Sequence, residues 1–173
     1  MSGQHFLISI LPGDVDESLR GVDISAYGLR KASRGIVMDA KWRVALIYVA
    51  RHNYYTLPGG GIDDDNYKSA LKREIKEELG FSVRIGKLVG RVETYMPRWS
   101  QRQVDQAYLA YITGKSVASQ PTAFEQNEGH RVIWLPSLDA AIACLESSKP
   151  QNLDGRLIKV RELTLLRHAR SLI

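Results

Sequence analysis

Three glutamates, Glu74, Glu77 and Glu78, stand in the run Arg73-Glu74-Ile75-Lys76-Glu77-Glu78-Leu79-Gly80-Phe81, downstream of Leu57-Pro58-Gly59-Gly60-Gly61. On a helix turning by about 100° per residue, their carboxylates fall within an arc of roughly 100°, beside an apolar stripe of Leu71, Ile75 and Leu79. Glu74 and Glu78 form a like-charge i,i+4 pair, which weakens an isolated helix. Acidic groups near a helix C-terminus also oppose its macrodipole. A helix selected only for stability would not collect them there. A hard divalent cation resolves the conflict, because Mg²⁺ prefers oxygen ligands and combines one or two carboxylates with substrate phosphates. Arg73 is one helical turn from Glu77 and can orient that carboxylate. The glycines let backbone groups come close to a phosphate or a metal. Taken alone, such a helix reads as a solvated, salt-bridged surface; the glycine loop before it favours a site.

The elements that must position these groups follow from the apolar pattern. Asn66 to Leu79 predicts a helix, with Asn66 as N-cap and Gly80 as the C′ glycine. Gly35 to Met38, Val44 to Val49 and Tyr54 to Leu57 read as strands, the last ended by Pro58 and the glycines. Phe6 to Leu11 predicts a short strand before the turn signal Pro12-Gly13-Asp14. Two further strands are expected at Ser82 to Tyr95, kinked near Gly86 and Gly90, and at Asp105 to Thr113. A polar loop, Gly114 to Gly129, separates them from a strand at Arg131 to Leu135. Ser137 caps an apolar helix through Leu145, and a last helix lies near Leu157 to Leu172. Trp134 and Cys144 read as core. Strands mixed with two or three helices, with little βαβ alternation, indicate an α+β layered domain.

Composition removes several classes. The 173 residues, 44% hydrophobic and 25% charged, fit one globular domain over 1–173, with 1–30 as an N-terminal extension. The one cysteine, Cys144, excludes an internal disulfide framework and a cysteine zinc site. No apolar run approaches a membrane span of roughly 18 to 20 residues, so no membrane partner and a reducing cytoplasm are expected. The net charge of +5 mildly favours anionic ligands. The basic residues form no motif of fixed spacing, so a nucleic-acid polymer is not expected as the main partner.

The segment Gly59 to Phe81 resembles the signature of the Nudix hydrolases, G-x5-E-x7-R-E-U-x-E-E-x-G-U, with U a bulky apolar residue. Gly59, Arg73, Glu74, Ile75, Glu77, Glu78, Gly80 and Phe81 occupy its positions. The first glutamate of the pattern is Asp65 here. The order of elements extends the resemblance over roughly Lys31 to Leu145. It implies an α/β/α sandwich around a mixed β-sheet and hydrolysis of the phosphoanhydride of a nucleoside diphosphate linked to another group. Glu74, Glu77 and Glu78 would hold Mg²⁺ or Mn²⁺, with the Gly59 carbonyl as an extra ligand and Arg73 orienting the glutamates. The resemblance leaves the general base among a signature glutamate such as Glu77 and the loop acids Glu125 and Glu128.

The linked group is open between a nucleoside triphosphate, oxidised bases included, and ADP-ribose or a nucleotide sugar. Pro97, 16 residues beyond Phe81, stands where ADP-ribose-cleaving relatives often carry a proline. Selection is expected from Tyr95, Arg98, Trp99 and Arg102, since aromatics stack on bases and arginines pair with phosphates, and from the loop Gly114 to Gly129. Two rival readings remain: a non-catalytic nucleotide-binding regulatory module, which loss of signature glutamates would mark, and an RNA-end pyrophosphohydrolase, which a salt-steep RNA affinity would mark. A homodimer is the assembly left open.

Overall fold

Gly28–Met38 forms a strand, β2, much longer than its apolar end Gly35 to Met38 predicts. The reason is a neighbour. The strand Gln101–Ile112 runs parallel beside all of β2, from Gly28 opposite Gln101 to Met38 opposite Tyr111. Ladder hydrogen bonds therefore hold the polar start of β2 and the polar start of its partner in extended form, where neither shows an apolar alternation. The structure is a computed structural model and describes residues 5–173; the first four residues of the expected N-terminal extension lie outside it.

In chain order the strands are β1 (Phe6–Ile10), β2, β3 (Val44–Val49), β4 (Tyr54–Thr56), β5 (Gly59–Gly61), β6 (Val83–Met96), β7 (Gln101–Ile112) and β8 (His130–Leu135). They make one mixed sheet of order β1-β6-β7-β2-β3-β4, with β5 added to β2 and β8 to β3. The glycine run expected as a turn is thus a short strand, antiparallel to Ala32–Arg34. β6 carries its register shifts between Ile85 and Gly90, where the sequence predicts a kink.

Period-two alternation divides the core between two faces. Val37, Ala45, Ile47, Tyr108 and Ala110 face α1 (Tyr67–Leu79), which buries Leu71, Ile75 and Leu79 against them. Burial of each such side chain stabilises by roughly 1.5–3 kcal/mol. Ile36, Met38, Leu46 and Leu109 point the other way, onto Ala141 and Leu145 of α3 (Leu138–Ser147) and Leu157, Leu165 and Leu166 of α4 (Leu153–Ala169). The result is the α/β/α sandwich. α4 starts before the expected Leu157 because Asn152 caps it, accepting from the Gly155 amide at 2.8 Å. Residues Ala123–Glu128 of the expected loop form a short helix, α2, with a capping box between Thr122 and Glu125. Trp134 and Cys144, read as core, are only half-buried, because β8 lies at the sheet margin and Cys144 is on the flank of α3. Beyond β1, Asp16 accepts from Arg156 Nη2 of α4 at 2.9 Å. Among the described residues no helix is long and apolar enough to cross a membrane.

Candidate active site

The glutamate helix begins and ends as its sequence dictates. Asn66 accepts from the Ser69 amide at 3.1 Å, and Gly80 closes α1 in the left-handed region at φ 73°. Between these caps the three signature glutamates take different surroundings. Glu78 is turned under the glycine strand, where its Oε2 accepts from the Gly59 amide at 2.8 Å. Glu74 presses on Gly60, where a Cβ would lie 2.5 Å from the Glu74 carboxyl carbon, so a side chain there would displace that carboxylate. Gly59 has φ 133°, and a Cβ there would meet the Ser33 carbonyl at 2.1 Å. Arg73 joins the remaining carboxylate: its Nη1 donates to Glu77 at 2.9 Å and its Nη2 to Glu74 at 2.6 Å. Glu77 thereby points away from the cavity that Glu74 and Glu78 line.

That cavity has a volume of about 500 Å³ and lies in front of β5. Its charged lining is Glu74, Glu78, Glu125, Glu128 and Asp154 with Arg30, Arg34, Arg98 and Arg161. Arg34 is fixed by Asp105, to which its Nε donates at 2.9 Å, and its Nη1 donates to the Gly59 carbonyl at 2.6 Å. The carbonyl expected as an extra metal ligand therefore already faces a guanidinium. Arg30 Nη1 donates to the neutral Gln103 side chain at 2.5 Å. Burial and the neighbouring Arg34 both push the Arg30 pKa down, so a desolvated cation stands in the cavity, with no bonded counter-ion among the described residues.

Burial disfavours the charged form of both cavity glutamates. Burial raises the Glu78 carboxyl to about 8, against the Gly59 amide and Arg34, while Glu125 and Glu74 add repulsion. Glu74 is raised as well, by burial first, with Arg73 opposing. Among the described residues no three His, Cys, Asp or Glu side chains are gathered closely enough to hold a metal ion as they stand. The donor chemistry nonetheless fits a hard cation: two carboxylates disfavoured as anions until positive charge arrives. Glu77, paired with Arg73, is not among the residues that line the cavity.

Glu125 Oε2 accepts from the Thr122 amide at 2.6 Å and its hydroxyl at 2.7 Å. Glu128 Oε1 pairs with Arg51 at 3.2 Å and Oε2 with His52 at 3.5 Å. Burial pushes the nearby His130 down. Asp65 is away from the site, bound to Lys31 at 2.5 Å.

Of the residues expected to select substrate, Arg98 and Trp99 line the cavity, with the Arg98 guanidinium 4.8 Å from the Trp99 ring centroid. The Trp99 indole donates to Asp154 at 3.1 Å. Tyr95 and Arg102 do not line it. They face each other across β6 and β7, and alternation points them to the opposite face from Met96, Gln101 and Gln103, which do. The Tyr95 ring lies 6.4 Å from Tyr27 instead. Reading the segment 95–102 as one block overlooked that period. The same alternation was the available signal for Arg30, Arg34, Gln103 and Asp105, which were not singled out: Arg30-x-Ala32-x-Arg34 and Gln101-x-Gln103-x-Asp105 put polar groups on one face of two adjacent buried strands.

A family model described as NUDIX domain matches residues 28–154. The chain is 30% identical over 118 residues to an 8-oxo-(d)GTP phosphatase of Mycolicibacterium smegmatis, 67% of this chain and 34% of that protein; it thus spans about a third of that relative's length. A MutT protein from Methanosarcina mazei has a similar structure, with a TM-score of 0.59, 15% identity, and coverage of 84% of this chain and 96% of that one. So does an ADP-ribose pyrophosphatase from Streptococcus suis, with a TM-score of 0.51, 18% identity, and coverage of 82% and 91%. At these identities the two structures establish the fold alone.

Proposed function

This chain belongs to the Nudix family, and from that premise we propose that it is a divalent-metal-dependent pyrophosphohydrolase of nucleoside diphosphate derivatives, with nucleoside triphosphates, oxidised ones included, as the first substrates to test. The observation that carries this reading is one cavity lined by the Glu74 and Glu78 carboxyls together with the guanidinium groups of Arg30 and Arg34. Glu74 and Glu78 would hold Mg²⁺ or Mn²⁺, joined by Glu77 on release from Arg73. When bound, the ion supplies positive charge for the phosphoryl oxygens, where charge stabilisation and alignment carry most of such catalysis. Arg30, which has no ion-pair partner among the described residues, would add positive charge for the phosphates, while Arg34 is held by Asp105 and the Gly59 carbonyl. Glu125 lines the same cavity near Glu78 and is the general base in this reading, taking the proton of the attacking water after leaving Thr122; Glu128 is its competitor. The Arg98–Trp99 pair offers a stacking face for a base.

The relative named as an 8-oxo-(d)GTP phosphatase supports triphosphates over ADP-ribose and nucleotide sugars. The retained signature glutamates Glu74, Glu77 and Glu78 argue against a non-catalytic module. The packing of β1 on β6 and the Asp16–Arg156 contact support a single domain over 1–173.

The test is turnover of dGTP, 8-oxo-dGTP, ADP-ribose and UDP-glucose with Mg²⁺ and with excess EDTA. Metal-dependent release of nucleoside monophosphate is expected. Inactivity on all four, or undiminished activity in EDTA, overturns the proposal.

A further inference from the structure

The family match ends at residue 154, and α4 runs on to Ala169. Its centre is unusual for a helix packed on a sheet: Arg161 and Glu162 are consecutive, with side chains 2% and 0% exposed. Four charged groups link into a buried ring around Leu57-Pro58-Gly59. Glu162 Oε1 accepts from the Leu57 amide at 3.2 Å, from the Thr56 hydroxyl at 2.8 Å and from Arg161 Nη2 at 2.6 Å. Arg161 Nη1 donates to Asp105 Oδ2 at 3.3 Å. The other oxygen of Asp105 accepts from Arg34 Nε, and Arg34 Nη1 closes the ring on the Gly59 carbonyl at 2.6 Å. The ring holds two cations and two anions and is neutral overall, with Arg161 Nε and Glu162 Oε2 left without a hydrogen-bond partner among the described residues.

Stability alone does not account for it. A buried ion network is often replaced by apolar side chains of similar volume without loss, because desolvation offsets the mutual attraction. What apolar packing cannot do is hold a chosen amide and a chosen carbonyl at hydrogen-bonding distance. The ring does this on both sides of Pro58, a residue with no amide of its own to anchor. The residue so placed, Gly59, is the one whose amide meets Glu78.

We propose that Arg161 and Glu162 are positioning residues for the hydrolytic site: from outside the segment that defines the family, they set the glycine strand so that the Gly59 amide engages Glu78. The inference rests on the assignment of Glu78 to the site above, and it adds the residues that place Glu78's backbone partner.

The test compares Glu162→Met, which keeps bulk and removes the acceptor, with Glu162→Gln, which keeps an acceptor oxygen for the Leu57 amide. Amide hydrogen exchange of the metal-free protein reads the ring without any substrate. In Glu162→Met, Gly59 exchange is expected to accelerate by about tenfold or more while Ile36 and Leu46 keep their protection, a local opening. With substrate and Mg²⁺, kcat falls about tenfold with a smaller change in KM, and Glu162→Gln recovers part of both. If Glu162→Met loosens the whole domain, Thr56→Val, which removes one ring contact and no charge, decides: selective acceleration at Gly59 supports the proposal and its absence overturns it. A folded Glu162→Met protein with wild-type Gly59 exchange and wild-type kcat also overturns it. A wild-type protein that turns over no nucleotide refutes the hydrolase reading instead, and the exchange result still decides the ring.

Discussion

Asp105 and Glu78 are both buried carboxyl groups near the glycine strand, and their charges are in opposite condition. Burial by itself would raise Asp105, but Arg161 and Arg34, with the Gln103 amide, outweigh it and hold the group below its ordinary value. Glu78 has only the Gly59 amide and a more distant Arg34 against its burial, and it rises to about 8. Matched charge marks a group whose partners are all within the fold. Unmatched charge marks a group whose partner has yet to bind. Side chains of the same chemistry, in one region, are thereby told apart as framework and site.

The sharpest way to break this contrast is to neutralise each group in turn. Asp105→Asn leaves two buried guanidinium groups short of an anion and should destabilise the protein by roughly 3–5 kcal/mol, read as a large drop in the thermal midpoint. Glu78→Gln should melt at or above the wild type in EDTA at neutral pH, since it removes the cost of taking up a proton on folding, yet lose most Mg²⁺-dependent turnover, on the order of 10³-fold. Equal destabilisation by both substitutions would erase the distinction.

The next effect separates the two acids within the cavity. Glu125→Gln should lower kcat by about 10²-fold with little change in metal affinity, as loss of a general base does. Glu128→Gln should do much less, because that carboxylate is paired with Arg51 and His52. The reverse order in steady-state kinetics would move the base to Glu128.

A smaller effect is expected in the pH dependence of stability without metal. The folded state holds a proton on Glu78 up to about pH 8, whereas the unfolded chain releases it near 4.5. Between these values the folded state binds more protons, so stability falls as pH rises. Asp105 acts the opposite way: its contribution is complete above 3.8 and is lost only as pH falls through its lower folded value. Urea melts in EDTA at pH 5, 6.5 and 8 should therefore weaken progressively in the wild type and lose that trend in Glu78→Gln. A trend unchanged by the substitution would assign it to another group.

The smallest effect concerns Trp99, which is nearly half exposed, at 47%. Trp99→Ala should raise KM for the preferred nucleotide several-fold, with kcat changed less, as when binding common to ground and transition states is removed. An unchanged KM across the substrate panel would make Trp99 a partner of Asp154 and nothing more.

Features set by near neighbours along the chain are legible in its residues. The α1 boundaries follow from Asn66 and Gly80, which meet the orphan amides and carbonyls of one helix. The apolar stripe of Leu71, Ile75 and Leu79, the kink in β6 and the Arg73–Glu77 contact are likewise set within a few residues along the chain. Only the tertiary structure decided which carboxylates share a cavity. Glu77 and Glu78 are neighbours in the chain, yet one meets Arg73 and the other the Gly59 amide, because burial and partners differ on two sides of one helix. The strand starts at Gly28 and Gln101 depend on each other's ladder, and no apolar pattern announces them. The ring of Arg34, Asp105, Arg161 and Glu162 joins three elements far apart in sequence, where each charge alone reads as surface. Hydrogen-bonding capacity belongs to the residue, but its satisfaction belongs to the fold.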